Sequence, residues 1–307
     1  MRAIAVHVLG EPPVLTDLPV RDPGPGELLI RVSAASVNGF DAAVLAGWVQ
    51  AYMEYRFPIV PGKDFAGTVE AVGPEVTEFG VGDRVFGVAL PPYVGSDGTF
   101  AEFVTVSAHY GVAHVPDGLD LALAGALGLA GSAAVTALKA LALKSGQTLL
   151  VSGATGGVGA IAVQYAVASG ARVIATAQRG EEAGFVLGLG AERTVDYTSD
   201  LPEEFRSAVP DGVDAVLHLA GDPQLLVEQL APGGCLASTL LFGADQHPAA
   251  VSIVADASRE VLGRLAADVA AGRLTVPITR HYPLADAPTA LAEFTEGTIG
   301  KYAVDIG

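Results

Sequence analysis

Hydrophobic and polar positions follow two different patterns along the chain. Up to about residue 116, short apolar runs such as residues 28–32, 68–72 and 103–106 are separated by glycine, proline and aspartate. Runs of this kind are typical of short strands joined by turns. Many short strands at such spacing predict a partly open β-barrel rather than a parallel sheet.

From residue 147 onward, buried-type strands alternate with helical segments. The predicted strands are residues 147–152, 172–177, 213–219 and 233–238, and the predicted helices are residues 160–169 and 181–190. This alternation predicts βαβ units, and therefore a parallel sheet with right-handed crossovers. From Pro277 onward the helical pattern stops, and residues 281–284 and 301–306 are predicted strands that return the chain to its first domain.

Two uncharged stretches are long enough to raise the alternative of a membrane span. Residues 121–138 run for 18 residues and residues 145–171 for 27 residues without a charge. Glycines interrupt both stretches, and neither has basic flanks of the positive-inside kind. The first residues alternate like a strand and lack the architecture of a signal peptide. We therefore expect no membrane span.

An aromatic-rich segment follows a helix-capable stretch between Gly39 and Pro61. It holds four aromatic side chains, which are Trp48, Tyr52, Tyr55 and Phe57. These side chains either belong to a core or line a pocket, and the sequence favours neither alternative.

Composition excludes several classes of function. Half of the 307 residues are hydrophobic, and 34 acidic against 17 basic residues give a net charge of −17. This apolar content excludes a disordered chain, and the length predicts two domains. The negative charge repels phosphate backbones and anionic lipid surfaces, so we expect no nucleic-acid or membrane partner. A single cysteine, Cys235, allows no internal disulfide, which predicts a cytoplasmic protein.

Metal binding has no clear signature in the sequence. A catalytic zinc needs three ligands from Cys, His, Asp or Glu, and a structural zinc typically needs four thiolates. The six histidines, at positions 7, 109, 114, 218, 247 and 281, show no paired spacing. We therefore predict no zinc site.

A glycine-rich turn carries the clearest chemical signal. Residues 154–159, Ala-Thr-Gly-Gly-Val-Gly, have the spacing of a dinucleotide fingerprint, with alanine in place of the first glycine. A predicted strand precedes the turn and a predicted helix follows it. Gly156 lets the main chain approach a pyrophosphate, and Gly159 permits close packing of helix on sheet. We predict that Thr155, Gly157 and Val158 also contact a dinucleotide, the alternative being a turn that serves packing alone.

The end of the second strand bears on which dinucleotide binds. An NAD site usually places an acidic residue about 20 residues after the glycines. That place is taken by Ala177, followed by Gln178 and Arg179. Arg179 is able to form charge-assisted bonds to a 2′-phosphate, so the sequence predicts NADP(H). The alternative is that Arg179 is solvated in a loop or pairs with Glu181 or Glu182.

Motifs spread over nearly the whole chain identify a family. They are residues 37–41, 60–67, 82–85, 98–102 and 153–159, then 189–191 leading to 196–197, then 232–234 and 300–301. In order and spacing, the chain resembles the zinc-independent medium-chain dehydrogenase/reductases, specifically the quinone oxidoreductase branch that includes zeta-crystallin-like and enoyl-reductase-like enzymes.

The resemblance implies an α/β architecture of two domains. Residues 1–120, completed by residues 276–307, are expected to form a GroES-like β-barrel domain that binds the substrate. Residues 121–275 are expected to form an NADP-binding domain with a Rossmann-type, doubly wound parallel sheet. The family also commonly forms homodimers through the nucleotide domain, and we expect a homodimer here.

Individual site residues follow from the same resemblance. Asn38 matches an asparagine near the nicotinamide ribose and the substrate, and Tyr197 matches a tyrosine near the adenosine phosphate. The remaining positions that the resemblance assigns to the cofactor are Thr136, Leu219, Phe242 and Lys301. The chain also departs from the family. His218 replaces a usual aspartate, and the aromatic segment lacks the common proline-rich loop.

The expected reaction is hydride transfer from NADPH to a quinone or to the β-carbon of an α,β-unsaturated carbonyl. Without a metal, hydrogen-bond donors must stabilise the oxygen on which charge develops. Asn38 is the leading candidate and Tyr52 the second, whereas Asp41 either orients its neighbours or caps a helix or turn. The alternatives are an enoyl or tailoring reductase of a biosynthetic pathway, and a protein that binds NADPH without turnover.

Overall fold

The computed structural model describes residues 1–307, which form two compact units. The first combines Met1–Leu129 with Ala257–Gly307, and the second is the continuous run Ala130–Asp256. We call them the GroES-like domain and the Rossmann domain. The sequence prediction placed residues 121–129 and 257–275 with the Rossmann domain. In the structure these residues pack with the GroES-like domain, because the helix over residues 121–125 contacts four of its strands and the helix over residues 259–270 contacts another.

The first part of the GroES-like domain is built mainly from short strands. Its elements are β1 (Arg2–Ala5), β2 (Val14–Asp17), β3 (Glu27–Ser36), α1 (Gly39–Leu45), β4 (Asp64–Val72), β5 (Arg84–Val88), β6 (Phe103–Ser107), β7 (Val112–His114) and α2 (Leu121–Gly125).

The Rossmann domain alternates helices and strands. It follows the start of α3 (Gly128–Leu141) and contains β8 (Thr148–Ser152), α4 (Gly157–Ala168), β9 (Arg172–Thr176), α5 (Glu181–Gly188), β10 (Arg193–Val195), α6 (Leu201–Ala208), β11 (Val213–His218), α7 (Pro223–Val227), β12 (Leu230–Ser238) and β13 (Ala250–Ser252).

The chain then returns to the GroES-like domain. This part contains α8 (Arg259–Ala270), β14 (Ile278–Pro283), a 3₁₀ turn (Leu284–Asp286), α9 (Ala287–Thr295) and β15 (Lys301–Asp305). The two strands predicted here are present. The helix α9 between them was not predicted, because Pro283 and Pro288 interrupt its hydrophobic pattern. Pro288 stands in the first turn of α9, where a missing N–H leaves no hydrogen bond unmade.

Strand β3 organises the sheet of the GroES-like domain. The seven-stranded sheet has the order β14-β15-β3-β4-β5-β7, and β6 pairs with β3 outside this path. The first half of β3 pairs with β6, its last residues pair with β15, and β4 pairs along most of its length. The core beneath contains Ile30, Phe65, Phe100 and Val304, all fully buried.

The sheet of the Rossmann domain is wholly parallel, as predicted. Its order is β10-β9-β8-β11-β12-β13, which is the 3-2-1-4-5-6 order of the doubly wound dinucleotide fold. The strand order reverses between β8 and β11, and ligands of such sheets bind outside the carboxyl ends of the strands at this switch point. The fold class expected from the sequence is therefore confirmed.

The two uncharged stretches are divided in the structure. Residues 121–138 are split between α2 and α3, and residues 145–171 hold β8, a turn and α4. No helix is both long enough and apolar enough to cross a membrane.

Candidate cofactor and substrate sites

The turn between β8 and α4 lies at the switch point of the Rossmann sheet. Gly153 has a φ of +72°, which favours glycine. A Cβ at Gly159 would lie 2.5 Å from the carbonyl oxygen of Gly153, so only glycine fits where α4 crosses the turn. A Cβ at Gly156 would meet no protein atom nearer than 3.7 Å. Gly156 therefore faces open space, as close approach of a ligand to the backbone requires.

The N-terminus of α4 suits an anionic ligand. No side chain caps it, and its first turn carries no acidic residue. Its unpaired N–H groups and the positive end of the helix dipole favour a phosphate. Thr155, Gly157 and Val158 are half-buried here. The residues present thus fit the pyrophosphate of a dinucleotide.

Arg179 lies just after β9 and pairs with two acidic side chains. Its Nη2 is 2.6 Å from Glu204 Oε1, and its Nε is 3.3 Å from Asp196 Oδ2. Neither Glu181 nor Glu182, the partners that the sequence suggested as an alternative, is among these contacts. The guanidinium group remains largely exposed, with 74% of the side chain accessible.

Tyr197, which follows β10, contacts the same region. Its hydroxyl donates a hydrogen bond of 2.9 Å to Glu182 Oε1. Partial burial and the Glu182 carboxylate raise the pKa of Tyr197 to about 12. Glu182 also accepts a hydrogen bond from the backbone N–H of Gln178. The carboxyl ends of β9 and β10 therefore bring Arg179 and Tyr197 together with acidic neighbours.

The Rossmann domain also contains three other predicted cofactor residues, which are Thr136, Leu219 and Phe242. The hydroxyl of Thr136 donates to Ser132 O at 2.7 Å and accepts from Asp256 N–H at 3.0 Å, so the protein itself uses its proton. Leu219 is half-buried directly after β11. Phe242 is buried and packs its ring edge-on against His218, with ring centroids 6.3 Å apart.

His218 joins three segments of the Rossmann domain at the end of β11. Its Nε2 lies 3.2 Å from Gly221 O and its Nδ1 lies 2.9 Å from Ser238 Oγ. A carbonyl oxygen only accepts, so Nε2 carries the proton and Nδ1 accepts from Ser238. Burial lowers the pKa of His218. The residue that departs from the family pattern is thus a neutral, hydrogen-bonded core histidine.

A buried polar cluster lies at one end of the GroES-like sheet. Strand register creates it, because Ser36 pairs with Asp64 across β3 and β4 and with Ala303 across β3 and β15. Asp64 is fully buried. One carboxylate oxygen accepts from Ser36 at 2.6 Å, Asn38 at 2.8 Å and Lys301 at 3.3 Å. The other accepts from the backbone N–H of Leu129 at 2.6 Å.

Asn38 and Lys301 use their donors within this cluster. The side-chain nitrogen of Asn38 donates to Asp64 and to Ser36 O, and its Oδ1 accepts from Lys301 at 2.7 Å. Lys301 also donates to Val37 O at 3.0 Å. An amide has two donor hydrogens and an ammonium group three, so both groups are saturated by the protein. The structure thus places Lys301 with Asn38 in the GroES-like domain.

Asp41 lies beside this cluster and is fully buried at the start of α1. Its carboxylate accepts from the backbone N–H of Asn38 at 2.8 Å and of Gly62 at 3.2 Å. Burial raises the pKa of Asp41 to about 7. These contacts are those of a capping residue, one of the two roles that the sequence suggested.

The aromatic segment is mostly at the surface. Trp48 is 75% exposed and Tyr52 is 73% exposed, so neither belongs to a core. Tyr55 is partly buried, and its hydroxyl donates to Val44 O at 2.9 Å. The structure does not bring Tyr52 into the buried polar cluster of Asn38, Asp41 and Asp64.

Lys63 and Asp64 were predicted from the sequence only as parts of a family motif. Both are buried, Lys63 with 9% of its surface accessible. Two adjacent charged residues at the entry to an apolar strand are a signal from which a buried polar site could have been predicted. No group of three or more His, Cys, Asp or Glu side chains is placed to hold a metal ion.

Two family models match the chain. Residues 24–117 match the alcohol dehydrogenase GroES-like domain, and residues 157–268 match a model described as zinc-binding dehydrogenase.

Curated relatives of the chain include polyketide synthases and quinone oxidoreductases. The chain is 36% identical over 320 residues to a mycocerosic acid synthase-like polyketide synthase of Mycobacterium tuberculosis, covering 92% of this chain and 14% of that protein. It thus spans only a small part of these synthases. It is 34% identical over 231 residues to the quinone oxidoreductase of Lama guanicoe, covering 73% of this chain and 68% of that enzyme.

Solved structures of other proteins are similar to this protein over its full length. The quinone oxidoreductase from Coxiella burnetii has a TM-score of 0.90 at 28% identity, covering 100% of this chain and 99% of that one. A mycobacterial protein in complex with NADPH has a TM-score of 0.86 at 30% identity, covering 100% of both chains.

A GroES-like domain and a Rossmann domain with an open glycine turn define the two-domain fold of the matched dehydrogenase models. More particularly, the chain belongs to the medium-chain dehydrogenase/reductase family, in its quinone oxidoreductase branch.

Proposed function

We propose that the protein is an NADPH-dependent reductase of quinones or α,β-unsaturated carbonyl compounds that acts without a metal. The observation that carries the proposal is the open glycine turn before the uncapped helix α4, at the switch point of the Rossmann sheet. Membership of the quinone oxidoreductase branch supports the reaction class, and the similar protein in complex with NADPH supports the cofactor.

The Rossmann domain is proposed to hold the cofactor. The backbone around Thr155, Gly156, Gly157 and Val158 binds the pyrophosphate, while Gly159 keeps α4 against the turn. Arg179 binds the 2′-phosphate, and Tyr197 packs beside it. When bound, NADPH supplies a hydride. We propose Thr136, Leu219 and Phe242 for the nicotinamide side, and Lys301 stays a predicted cofactor contact.

The GroES-like domain is proposed to bind the substrate. Quinones and enones spread the charge of the reduced product over a conjugated system, so hydrogen-bond donors suffice to stabilise it. Asn38 fixes the buried cluster, and Asp41 holds the backbone of Asn38 and Gly62 in place. Tyr52 is an exposed hydroxyl on the aromatic segment. Replacing Asn38 with alanine is expected to lower kcat/KM, and undiminished reduction would remove Asn38 from the mechanism.

Steady-state NADPH oxidation on a panel of quinones and enones tests the proposal. We expect turnover with at least one compound and a higher kcat/KM for NADPH than for NADH. Tight NADPH binding without turnover on any compound would instead support a protein that binds the cofactor without catalysis. Sedimentation equilibrium tests the expected homodimer in the same preparation.

A second candidate is an enoyl reductase of a biosynthetic pathway. The polyketide synthase relative, at 36% identity over 92% of this chain, favours it. The two candidates differ in the substrate, since an enoyl reductase acts on a thioester-linked enone. A kcat/KM for an enoyl thioester far above that for any quinone would select this candidate.

A further inference from the structure

Lys63 is a buried residue whose ammonium group faces a cleft and has no hydrogen-bonded partner in the protein. The residue precedes β4 and is 9% exposed. Its Nζ forms no hydrogen bond or ion pair with the protein and lies 4.6 Å from the centroid of the Phe40 ring. Burial lowers the pKa of Lys63, and the nearby Asp41 carboxylate opposes this effect only in part. Lys301, the other buried lysine of this domain, has all its protons donated to protein atoms.

Lys63 lines a cleft that lies wholly within the GroES-like domain. The walls are mainly apolar and aromatic, and they include Phe40, Val44, Pro61, Tyr93 and Val94. Two acidic residues, Asp41 and Asp97, also line it. The carboxylate of Asp41 already accepts from two backbone N–H groups, and that of Asp97 lies 3.6 Å from Arg21. Lys63 is the one cationic side chain among the residues that line this cleft, and its ammonium group donates no hydrogen bond to the protein.

A structural role does not account for this arrangement. A buried charge without a hydrogen-bonded partner destabilises a folded protein, and an apolar side chain of similar size would fill the same volume at lower cost. The aromatic contact offsets only a part of the lost hydration. The cleft instead fits a ligand that brings its own acceptor. Its walls suit a flat, conjugated compound, and its single cation suits an oxygen on which negative charge develops.

We propose that Lys63 is a catalytic residue whose ammonium group donates a hydrogen bond to the carbonyl oxygen of a conjugated carbonyl substrate held in this cleft. The proposal rests on the reductase function proposed above. NADPH would supply the hydride and would be oxidised to NADP⁺. When the β-carbon of the substrate receives this hydride, a C–H bond forms and the π electrons move to the carbonyl oxygen, which gives an enolate. Lys63 stabilises this oxygen and keeps its own proton. A proton from water adds to the α-carbon and restores the carbonyl group, and the hydroxide that remains is neutralised by the buffer.

Replacing Lys63 with methionine separates a catalytic role from a structural one. Methionine keeps the volume and removes the charge. We expect K63M to lower kcat/KM for cyclohexenone by about 100-fold, as the loss of one oxyanion donor typically does. We expect its melting temperature to be equal or higher, because an unpaired buried charge is gone. NADPH affinity should not change. The control is K144M, the same exchange at an exposed lysine, which should match the wild type.

Isotope-labelled reductive methylation supplies a readout that needs no turnover. Lysines 63, 139, 144 and 301 are the four lysines of the chain, and K63M assigns the Lys63 signal by its absence. Without NADPH, added cyclohexenone should shift the Lys63 signal and leave those of Lys139 and Lys144 in place. An unshifted Lys63 signal at saturating cyclohexenone would overturn the proposed contact.

The kinetic outcomes distinguish the two proposals. If the wild type reduces cyclohexenone or phenanthrenequinone and K63M stays within about threefold of it, the role of Lys63 is overturned and the reductase function stands. If K63M weakens NADPH binding in parallel with kcat/KM, Lys63 acts through the cofactor and the proposed role is also wrong. If the wild type reduces no compound of the panel, the reductase function and the catalytic role fail together.

Discussion

Arg179 and Glu204 form an ion pair with a separation of 2.6 Å just outside the carboxyl end of β9. This pair occupies the guanidinium group that we propose for the 2′-phosphate of NADPH. Because the Arg179 side chain is 74% exposed, the pair contributes little to stability, and a phosphate with a larger charge competes well for the same donors. Cofactor preference then depends on how strongly Glu204 and Asp196 hold Arg179.

Replacing Arg179 with alanine is therefore expected to remove the preference for NADPH. Hydrogen bonds to charged groups are worth about 1.5–3 kcal/mol, so kcat/KM for NADPH should fall about ten- to a hundredfold, with that for NADH little changed. The isosteric change E204Q removes a negative charge and should act in the opposite direction by releasing Arg179. Steady-state kinetics with both cofactors measures these effects. The control is R172A, which breaks an exposed Arg172–Glu192 pair at the other end of β9. Equal NADPH preference in wild type and R179A would contradict the assignment.

Two glycines of one turn are expected to respond differently to alanine. In G159A the new Cβ meets Gly153 O at 2.5 Å and Ala154 Cα at 2.6 Å, so the backbone must shift, at a cost of about 1–3 kcal/mol. In G156A the Cβ meets no protein atom within 3.7 Å, so the cofactor-free protein should keep its melting temperature.

The affinity for NADPH is also expected to differ between G156A and G159A. G156A should bind NADPH at least about tenfold more weakly, because its Cβ points to the place where the pyrophosphate approaches the backbone. Thermal unfolding and NADPH titration by fluorescence measure the two effects. G184A, at an exposed site of α5 with open space around it, is the matched control and should lower neither property. Normal NADPH binding by G156A would refute the position of the pyrophosphate.

Removing one member of the buried Asp64–Lys301 pair is expected to destabilise the fold strongly, whereas removing both members should cost less. K301M leaves the fully buried Asp64 carboxylate without its counter-charge, and breaking such a pair costs about 3–5 kcal/mol. The double variant D64N/K301M removes both charges and should recover part of this loss. Urea unfolding at neutral pH gives the free energies. R2M, which breaks an exposed pair with Glu102, should cost less than about 1 kcal/mol. If the K301M variant is as stable as the R2M variant, the buried pair is not needed for the stability of the fold.

Asp41 makes stability depend on pH in a defined direction. Its pKa is raised from 3.8 to about 7 in the folded protein, so the native state keeps a proton that the unfolded chain has lost. Stability from this group is full below about pH 4 and falls as the pH rises to about 7, by up to about 4 kcal/mol. D41N has no proton to lose at this site. The difference between the unfolding free energies of the wild type and D41N is taken at each pH. The contribution of the other carboxyl groups drops out of this difference. We expect this difference to fall between pH 4 and 8, and a flat difference would contradict the raised pKa.

Local patterns predicted those features whose determinants are contiguous in sequence. The strand β8, the glycine turn and α4 lie within 21 residues, and each was predicted with ends near those observed. Patterns failed where long-range pairing decides. Ser36, Asp64 and Lys301 meet only through the register of β3, β4 and β15, which no local spacing encodes. The partner of Arg179 was sought among its neighbours and lies 25 residues further on.

The same distinction applies to the proposed substrate site. Asn38 was chosen because a family motif contains it, and the structure shows that its donors are already used. Lys63 was noted only within a motif, because a sequence does not show that an ammonium group lacks an acceptor. Burial and hydrogen-bond partners, which depend on the whole fold, identify the available donor.

The position of β15 between β14 and β3 affects the order in which the two domains are completed during synthesis. The contact of Lys301 with Asn38 joins positions 263 residues apart, whereas the Rossmann domain is one continuous run. On the ribosome, the Rossmann domain has its full sequence while the last residues of β3 still lack their partner strand β15. Until β15 is synthesised, these strands have unpaired edges, and such edges can aggregate with other chains. We therefore expect the yield of active protein to depend on translation speed over residues 257–307 and on chaperones that bind the unpaired strands.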